Sequence, residues 1–428
     1  MEEALLQYIW QHQLYNCSNL ATTDGDPLEV LQPGELNRHQ GPDFTEALIR
    51  VGNTIWCGQV ELHLKSSDWY RHGHTNDPHY CNVILHVVLE DDQRVLDQHG
   101  AKLPSVVLMD RIPAHLITRF RHMMQQTQPI ICHSFLPLLQ SAEWKRWKEQ
   151  LLLRRLKRKS TKIFAWLSGN GDDWNTIFWW LFFEQTGGKV NGDFFLSLAQ
   201  SIPLPSLIKK QLTRIEWEAL LLGQSNLLPV SATDTYLRKL NKEYQYLSYK
   251  YQLTPLHRKP AFLRMRPASF PTIRLAQLSA LLFNHPHFFH ELLSSFSLRQ
   301  WREQCFATSG DYWETHYRIN DISKAGKKSL GQQQIDSLAI NVLLPVMYAY
   351  AIGRGEESLI KKVLALFEEI PPEQNRITAL WNETDVKNST ASDSQSLTEL
   401  THSFCKNKKC LECAVGQRIM LPETAMPS

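Results

Sequence analysis

The sequence predicts an α+β fold in three parts: an N-terminal α/β domain with a mixed sheet and flanking helices, a larger all-α domain, and a cysteine-rich tail. Strand-like runs separated by tight-turn residues fill the first part, residues 1–125. Helical spacing of apolar residues then continues almost without interruption over residues 126–382. Residues 383–428 begin with a polar stretch and contain a cluster of cysteines. At 428 residues with 43% hydrophobic content, the chain can bury more than one core.

The first domain opens with a helix and continues into strands. The spacing of its apolar residues predicts a helix over Glu2–Tyr15. Two strand-like runs follow, Ala47–Val51 and Thr54–Lys65, and the Gly52-Asn53 pair between them suits a tight hairpin. A third, strongly apolar strand is predicted over Asn82–Val88.

The predicted hairpin carries side chains that suit a metal-dependent active site. Glu61, His63 and Lys65 alternate along the second strand and therefore share one face of the sheet. With a two-residue turn and an unbroken register, Asp43 would face away from Glu61. One extra loop residue, or a bulge at Gly58, would bring Asp43 level with Glu61 or His63.

Two carboxylates beside a basic group suit hydrolysis of a phosphodiester, because oxygen ligands hold Mg²⁺ or Mn²⁺ and the metal activates water. With Pro42-Asp43 followed by Glu61-Leu62-His63, the segment resembles the PD-(D/E)XK nuclease superfamily. The resemblance implies that Asp43 and Glu61 hold the metal and that His63 stands where a lysine is expected. Either His63 or Lys65 then assists the attack of water, or the site is catalytically silent.

The loop after the second strand supplies further candidates for contact with metal or phosphate. Ser66 to His74 combine aromatic, acidic and imidazole side chains, as binding loops tend to do. The candidates are Asp68, His72, His74 and, on the third strand, His86. Each taken alone is better explained as a structural histidine or a turn former.

Nearly the whole chain resembles a bacterial domain-of-unknown-function (DUF) family. The residues that carry this resemblance are Gly41–Phe44, Val60–Trp69, Asn82–Val88, Arg266-Pro267 with Phe270–Leu278, and the cysteine-rich tail. Membership implies a bacterial cytosolic protein and says little about activity. The nuclease interpretation therefore rests on the first domain.

The second domain is predicted to be helical almost throughout. The predicted helices cover residues 141–168, 173–186, 192–200, 205–223, 232–251, 274–283, 287–294, 298–305, 335–351 and 355–369. The polar stretch from Glu383 to Ser396 is predicted to be a loop or linker before the tail.

A strongly basic run begins the helical domain, although the net charge of the whole chain is only +3. Between Lys145 and Lys162 there are nine lysines and arginines against one acidic residue, Glu149. On a helix, the outward part of this set would neutralise the phosphates of nucleic acid. The candidates for that contact are Arg154, Arg155, Lys157, Arg158 and Lys159. A solvated helix face, or an acidic partner within the fold, explains the same pattern.

The tail has the spacing of a metal half-site, with Cys405, Cys410 and Cys413 within nine residues. His402 would complete a local Cys₃His zinc site, whereas Cys132 would complete an all-cysteine site. Some nucleases of the superfamily hold an iron–sulfur cluster with one distant and three clustered cysteines, so the resemblance allows zinc or a cluster. Redox-active thiols are the main rival. The four remaining cysteines are predicted to be buried thiols, because none has a cysteine close in sequence.

Several function classes lack their usual sequence support. The sequence shows no Walker loop, dinucleotide glycine fingerprint, nucleophile elbow or kinase signature. The acidic start Met1-Glu2-Glu3 is unlike a secretory signal, and no apolar run approaches the roughly 20 residues of a spanning helix. We therefore expect a cytoplasmic protein without membrane association, and thiols rather than disulfides.

Three hypotheses follow from these patterns. The first is a metal-dependent nuclease that cleaves DNA or RNA. The second is a catalytically inactive nuclease-like module that binds nucleic acid or protein, which the missing lysine at position 63 favours. The third is a metal-dependent hydrolase of small phosphoesters, which is favoured if the histidines converge on one pocket. The oligomeric state stays open.

Overall fold

The computed structural model describes residues 2–231, 234–294 and 297–420, which form two compact units. Unit 1 comprises the residues up to Trp144 together with those from Leu400 onward, and unit 2 comprises Lys145–Glu399. The predicted α+β fold class is confirmed, because unit 1 contains a mixed sheet and unit 2 is predominantly helical.

Unit 1 is built on a mixed sheet whose strand order is β1-β3-β4-β5-β6, with the short β2 paired to β3. The hairpin β3–β4 is antiparallel, whereas β5 and β6 continue the sheet in parallel pairing. The elements are α1 Glu3–Gln11, β1 Leu28–Gln32, β2 Glu35–Leu36, β3 Phe44–Val51, β4 Thr54–Lys65, α2 Asp68–Arg71, β5 Val83–Glu90, β6 Ser105–Val107 and α3 Ala114–Gln125.

The register of the β3–β4 hairpin changes part-way along its length. Val51 pairs with Thr54 across the predicted two-residue turn, and Ala47 still follows this register opposite Gly58. Phe44 pairs with Val60, so β3 contains one extra residue between Phe44 and Ala47. The hairpin therefore contains a bulge, but its extra residue lies on β3 and not at Gly58, the position suggested by the sequence. The shift places Asp43 level with Glu61.

Close approach of β5 to β4 depends on Gly58. A Cβ atom at this position would lie 2.5 Å from Cγ2 of Ile84 and 2.7 Å from the carbonyl oxygen of Asn82. The parallel pairing that follows sets Glu61 beside His86. Every residue of β5 from Val83 to Leu89 is buried, as expected for an interior strand of a parallel sheet.

Helix α1 packs against β4, and its buried face consists of Leu5, Leu6, Tyr8, Ile9 and Trp10. The predicted N-terminal helix is therefore confirmed, although it ends at Gln11 rather than at Tyr15. The indole nitrogen of Trp10 donates to the carbonyl oxygen of Pro33 at 2.9 Å, which fixes the helix to the loop after β1. This docking presents the polar side of α1 to the start of β3.

Unit 2 is predominantly helical, with one short two-stranded ribbon among its described residues. Its helices are α4 Ser141–Ser168 (which begins within unit 1), α5 Trp174–Gln200, α6 Leu204–Lys210, α7 Arg214–Gln224, α8 Thr235–Tyr251, α9 Pro271–Asn284, α10 Phe288–Ser294, α11 Leu298–Gln304, α12 Asp311–Glu314, α13 Gln332–Leu338, α14 Leu344–Arg354, α15 Glu357–Glu369, α16 Arg376–Asn382 and α17 Ala391–Leu400, the last of which ends in unit 1. The ribbon pairs β7 His316–Arg318 with β8 Asp321–Ile322. The tail adds α18 Ala414–Met420 to unit 1.

Most of the predicted helices are confirmed within a few residues of their bounds. The predicted pair 173–186 and 192–200 corresponds to α5, which is interrupted at Gly188, where φ is 62° and ψ is −159°. The first two residues of the predicted helix 232–251 lie outside the described residues, as do the last eight residues of the predicted tail. The prediction of a linker over Glu383–Ser396 is wrong from Ala391 onward, because α17 begins there and buries Ser392, Ser394 and Ser396.

One helical stretch is longer and more apolar than the sequence analysis recognised. Gln332–Arg354 has the length and composition of a membrane-crossing helix, but most of it is buried inside the protein. A five-residue π-helical segment, Ala339–Leu343, separates α13 from α14 within this stretch. Burial of this kind is typical of the central helix of a folded core.

Candidate metal centre

The bulge in β3 brings two carboxylates together at the edge of the hairpin. The backbone N–H of Asp43 donates to Oε2 of Glu61 at 3.0 Å, and the backbone N–H of Leu62 donates to Oδ2 of Asp43 at 3.1 Å. The amide of Gln7 on α1 donates to Oδ1 of Asp43 at 2.7 Å. Each acid is thus held by a backbone group next to the other, and Glu61 is only 5% exposed.

Imidazoles surround the second oxygen of Glu61. Oε1 of Glu61 lies 3.4 Å from Nε2 of His63 and 3.3 Å from Nε2 of His74. Nε2 of His63 is also 3.1 Å from Nδ1 of His72, and nitrogens of these three histidines lie within 4.8 Å of one another. Nε2 of His74 is buried and has no hydrogen-bond partner among the described residues, although it is close to Glu61. The carboxylate oxygen and the ring nitrogens therefore converge on a small volume that suits a cation.

The loop after β4 positions two of these imidazoles. Gly73 adopts φ 77°, a left-handed conformation that reverses the chain between His72 and His74. Tyr80 stacks on the ring of His74 with 3.8 Å between centroids, and the indole of Trp69 meets the same ring edge-on. Since both aromatic neighbours fix the plane of His74, its Nε2 is aimed at Glu61 by packing.

Asp68, a secondary candidate, is part of the loop framework. Its Oδ2 accepts from the backbone N–H of Lys65 at 3.2 Å, and its Oδ1 lies 2.9 Å from the guanidinium of Arg71. The carboxylate therefore holds α2 to the end of β4. Its two oxygens are occupied by these groups.

His86 supports the cluster from the neighbouring strand. Its Nε2 lies 2.8 Å from Nδ1 of His63, and its side chain is completely buried. Burial and the neighbouring imidazoles lower the pKa of His63 to about 2, and burial lowers the pKa of His86 to about 3. Both rings are therefore neutral near pH 7, the form that binds metals.

The pKa values of the nearby carboxyl groups are raised, whereas those of the imidazoles are lowered. Burial, then the negative charges of Glu61 and Glu3, raise the pKa of Asp43 far above its ordinary value. Burial and Glu61 also raise the pKa of Glu3, a half-buried residue of α1. Three acids close to neutral imidazoles favour a bound cation, which compensates their charge.

Lys65 is not part of this cluster. Its ammonium lies 3.1 Å from the carboxylate of Glu90 at the end of β5, and its side chain is about half exposed. The hydrogen bond and charge of Glu90 raise the pKa of Lys65. The structure thus joins Asp43, Glu61 and His63, and it pairs Lys65 with a different acid.

The whole-chain resemblance can be tested against protein-family models. A model described as a protein of unknown function (DUF2851) matches residues 3–376. The chain belongs to this family. Neither the curated proteins nor the solved structures contain a match. The DUF2851 range includes the whole cluster around Glu61 and ends before the cysteines of the tail.

In this DUF2851 protein, the basic run of α4 is engaged within unit 2. Glu399 is completely buried and lies 2.8 Å from Arg158, 3.5 Å from Arg155 and 4.0 Å from Arg154. Lys159 donates to Oδ1 of Asn341 at 3.0 Å. Most of these basic side chains therefore contact partners within the fold, which was the alternative to nucleic-acid binding. Lys157 is exposed, and its side chain has no such contact among the described residues.

The distant cysteine proposed as a partner of the tail cysteines is buried in unit 1, as are Cys410 and Cys413. Burial, followed by the thiols of Cys413 and Cys410, raises the pKa of Cys132. His402 is exposed, and its Nδ1 lies 3.3 Å from the ammonium of Lys406. The prediction of buried thiols for the other cysteines is confirmed for Cys305 and wrong for Cys17, Cys57 and Cys81, which are exposed.

Sequence reasoning missed the contribution of α1 to the candidate site. Glu3 and Gln7 are one helical turn apart, so they lie on the same side of α1, and both interact with Asp43. The signal was available as two polar residues at i and i+4 on an otherwise apolar helix. Nothing in the sequence showed that this side would face the hairpin.

Proposed function

We propose that the protein is a metal-dependent phosphodiester hydrolase, with DNA or RNA as the substrate class, whose cation is held by Asp43, Glu61, His63 and His74. The observation that carries this proposal is the position of Glu61. One of its oxygens is tied to Asp43, and the other lies within 3.4 Å of two imidazole nitrogens.

The donor set indicates which cation suits the site. Mg²⁺ prefers oxygen ligands alone, whereas imidazole nitrogens suit Zn²⁺, Fe²⁺ and, mixed with carboxylates, Mn²⁺. Two carboxylates and two or three imidazoles therefore favour Mn²⁺ or Zn²⁺ over the Mg²⁺ expected from the carboxylates alone. Such an ion, held by Asp43, Glu61, His63 and His74, would activate water and stabilise charge on the phosphate.

The side chains around the proposed cation have different roles: some orient the ligands, and one is placed to contact the substrate. Gln7 orients Asp43, and His86 orients His63 through the 2.8 Å contact between their rings. His63 suits a ligand better than a general base, because its pKa of about 2 lies far below neutral pH. His72 is the exposed member of the cluster, so it stands where a substrate phosphate approaches.

The substrate proposal rests on the resemblance of the hairpin to nucleases, since Arg155 and Arg158 are occupied by Glu399. The convergence of His63, His72 and His74 gives independent support to a second candidate, the hydrolase of small phosphoesters. The inactive binding module remains the rival from another class. It is favoured by Lys65, which pairs with Glu90 and leaves the site without the usual lysine.

Assays of the purified full-length chain separate these functions. Labelled single- and double-stranded DNA and RNA, and the chromogenic substrate bis(p-nitrophenyl) phosphate, are incubated in parallel with Mg²⁺, Mn²⁺ or Zn²⁺. Glu61→Gln removes the shared ligand with little change of volume. Glu90→Gln is the matched control, because it alters an exposed glutamate on the adjacent strand.

We expect hydrolysis with Mn²⁺ or Zn²⁺ that falls at least about 100-fold in Glu61→Gln and persists in Glu90→Gln. Cleavage of the polymers identifies a nuclease, whereas turnover of the chromogenic substrate alone identifies the small-phosphoester hydrolase. Folded protein that binds Mn²⁺ or nucleic acid but cleaves nothing would favour the inactive module. Equal activity in Glu61→Gln and wild type would overturn the proposed site.

A further inference from the structure

A cavity of about 530 Å³ lies within unit 2, where it is lined by α4, α5, the π-helical segment Ala339–Leu343 and the start of α14. Its volume is in the range of small-molecule sites in proteins. All of the lining residues belong to unit 2, whereas the carboxylate and imidazole cluster belongs to unit 1. The cavity is therefore a separate candidate for ligand binding.

Two irregularities of the backbone coincide at this cavity. Helix α5 is interrupted at Gly188, whose φ of 62° and ψ of −159° place it in a region that only glycine adopts readily. Space remains around Gly188, because a Cβ atom there would meet nothing within 4 Å. Asn341 lies in the π-helical segment, and π-helical turns inside helices occur frequently at functional sites.

Lys159 of α4 is held at the cavity by a neutral partner. Its Nζ donates to Oδ1 of Asn341 at 3.0 Å, and Nδ2 of Asn341 donates to Oε1 of Glu373 at 2.9 Å. The amide of Asn341 therefore stands between the amine of Lys159 and the carboxylate of Glu373. Among the described residues, Lys159 forms no ion pair with an acid.

The surroundings of Lys159 disfavour its ammonium form. Burial, then the charge of Arg155, lowers the pKa of Lys159 to about 7, and Arg158 acts in the same direction. Glu373 and Glu399 oppose this effect, but Glu399 is paired with both arginines. Near neutral pH, about half of the Lys159 side chains are then neutral amines, the form that attacks a carbonyl carbon.

Apolar and charge-compensated groups complete the lining. The apolar residues are Ile163, Leu181 and Pro345. Nζ of Lys162 lies 2.7 Å and 2.8 Å from the two oxygens of Glu184, so its charge is compensated. Lys189 and Asp193 are exposed and have opposite charges. Because these charges largely cancel, the cavity suits an uncharged molecule with an apolar body.

We propose that Lys159 is a reactive amine that forms an imine with a small, uncharged aldehyde or ketone bound in this cavity. The amine nitrogen attacks the carbonyl carbon, its two protons leave with the carbonyl oxygen as water, and a carbon–nitrogen double bond remains. The step requires no oxidant or reductant. Asn341 orients the amine, and the reaction is independent of the proposed hydrolase.

Reductive trapping in the purified full-length chain tests for the imine. Equimolar benzaldehyde and sodium cyanoborohydride convert an imine into a stable secondary amine, and peptide mass spectrometry identifies the modified lysine. Lys159→Met removes the amine and keeps the length of the side chain. Lys157→Met is the matched control, because it alters an exposed lysine on the same helix.

We expect modification at Lys159 to exceed that at any exposed lysine at least about 10-fold at neutral pH. Incorporation of benzaldehyde should be largely lost in Lys159→Met and should persist in Lys157→Met. Modification spread evenly over the exposed lysines, or equal incorporation in Lys159→Met and the parent, would overturn the proposal.

The pH dependence of acetylation in the parent tests the amine even if Lys159→Met fails to fold. Trace acetic anhydride acetylates each lysine in proportion to its neutral fraction, and peptide mapping gives the rate at each position. Between pH 7 and pH 9 the rate at Lys159 should rise only about twofold, because its pKa is about 7. A lysine with the ordinary pKa of about 10.4 becomes about 100-fold more reactive over the same interval.

A rise of about 100-fold at Lys159 would show an ordinary ammonium group and overturn the proposal. Benzaldehyde in excess should also protect Lys159 from acetylation and leave Lys157 unprotected. Equal rates at Lys159 with and without benzaldehyde would show that the cavity does not bring a carbonyl compound to this amine.

Discussion

Oε1 of Glu61 lies 3.3 Å from Nε2 of His74, although neither atom forms a hydrogen bond with the other. Tyr80 and Trp69 hold the ring of His74 in this orientation. A buried polar nitrogen without a hydrogen-bond partner is ordinarily costly. A cation bound by both atoms would remove the cost, so this pair supports the proposed metal site.

The same site lowers the stability of the metal-free protein. Burial and the charges of Glu61 and Glu3 hold the pKa of Asp43 well above its value in an unfolded chain, about 3.9. Between these two pKa values the folded protein retains a proton that the unfolded chain has already lost. The contribution of Asp43 to stability is therefore greatest at low pH and decreases as pH rises through this interval.

Asp43→Asn is accordingly expected to stabilise the metal-free protein while it abolishes hydrolysis. The amide is uncharged like the protonated carboxyl, but the unfolded variant cannot gain stability by releasing a proton, so the melting temperature in EDTA should rise by about 2–4 °C near neutral pH. The difference from wild type should shrink as pH falls to about 4. Thermal unfolding at several pH values measures this directly, and excess Mn²⁺ should stabilise wild type but not the variant.

Asp77→Asn is the control for that experiment, because the pKa of its partly exposed carboxylate is shifted in the opposite direction. The backbone and side chain of His79 lower the pKa of Asp77, so its replacement should not increase stability. If Asp43→Asn melts at or below the wild-type temperature throughout the pH range, Asp43 is not a strained carboxylate. The account of the site as a cation-binding cluster would then lose its electrostatic support.

The hairpin was predictable from the sequence, because its determinants are local. Gly52-Asn53 sets the turn, and alternation along β4 sets the face shared by Glu61 and His63. Which of the two strands carries the extra residue of the bulge could not be predicted. An extra residue in β3 near Glu46, which adopts φ 57°, shifts Asp43 as effectively as one near Gly58 does in β4.

The contacts that depend on tertiary packing could not be predicted. The role of α1 in holding Asp43 depends on which side of the helix docks on β4. Whether the basic run faces solvent or pairs within the fold depends on Glu399, which lies 241 residues along the chain from its closest partner, Arg158. No local pattern links them. The first part of α17, up to Ser396, was predicted to be a linker, because this helix buries serines and threonines that are usually exposed.

The pairing of Lys65 with Glu90 gives a prediction that separates the two sequence-based roles of Lys65. If Lys65 acted in place of the missing lysine, Lys65→Ala would reduce hydrolysis by about 10²–10⁴-fold. Because its ammonium is held at the far end of β4, we expect a change of less than about threefold. Initial rates with the chromogenic phosphodiester and with DNA measure this, and Glu61→Gln provides the inactive reference.

Glu399 is expected to govern the stability of unit 2. It is completely buried against the buried guanidinium of Arg155, so Glu399→Gln removes the negative charge hydrogen-bonded to that group, and we expect a loss of about 3–5 kcal/mol. Glu303→Gln breaks an exposed pair with Arg299 and should leave the free energy of unfolding nearly unchanged. Urea unfolding measures both. If Glu399→Gln proves as stable as wild type and loses affinity for DNA, the basic run serves nucleic acid rather than the fold.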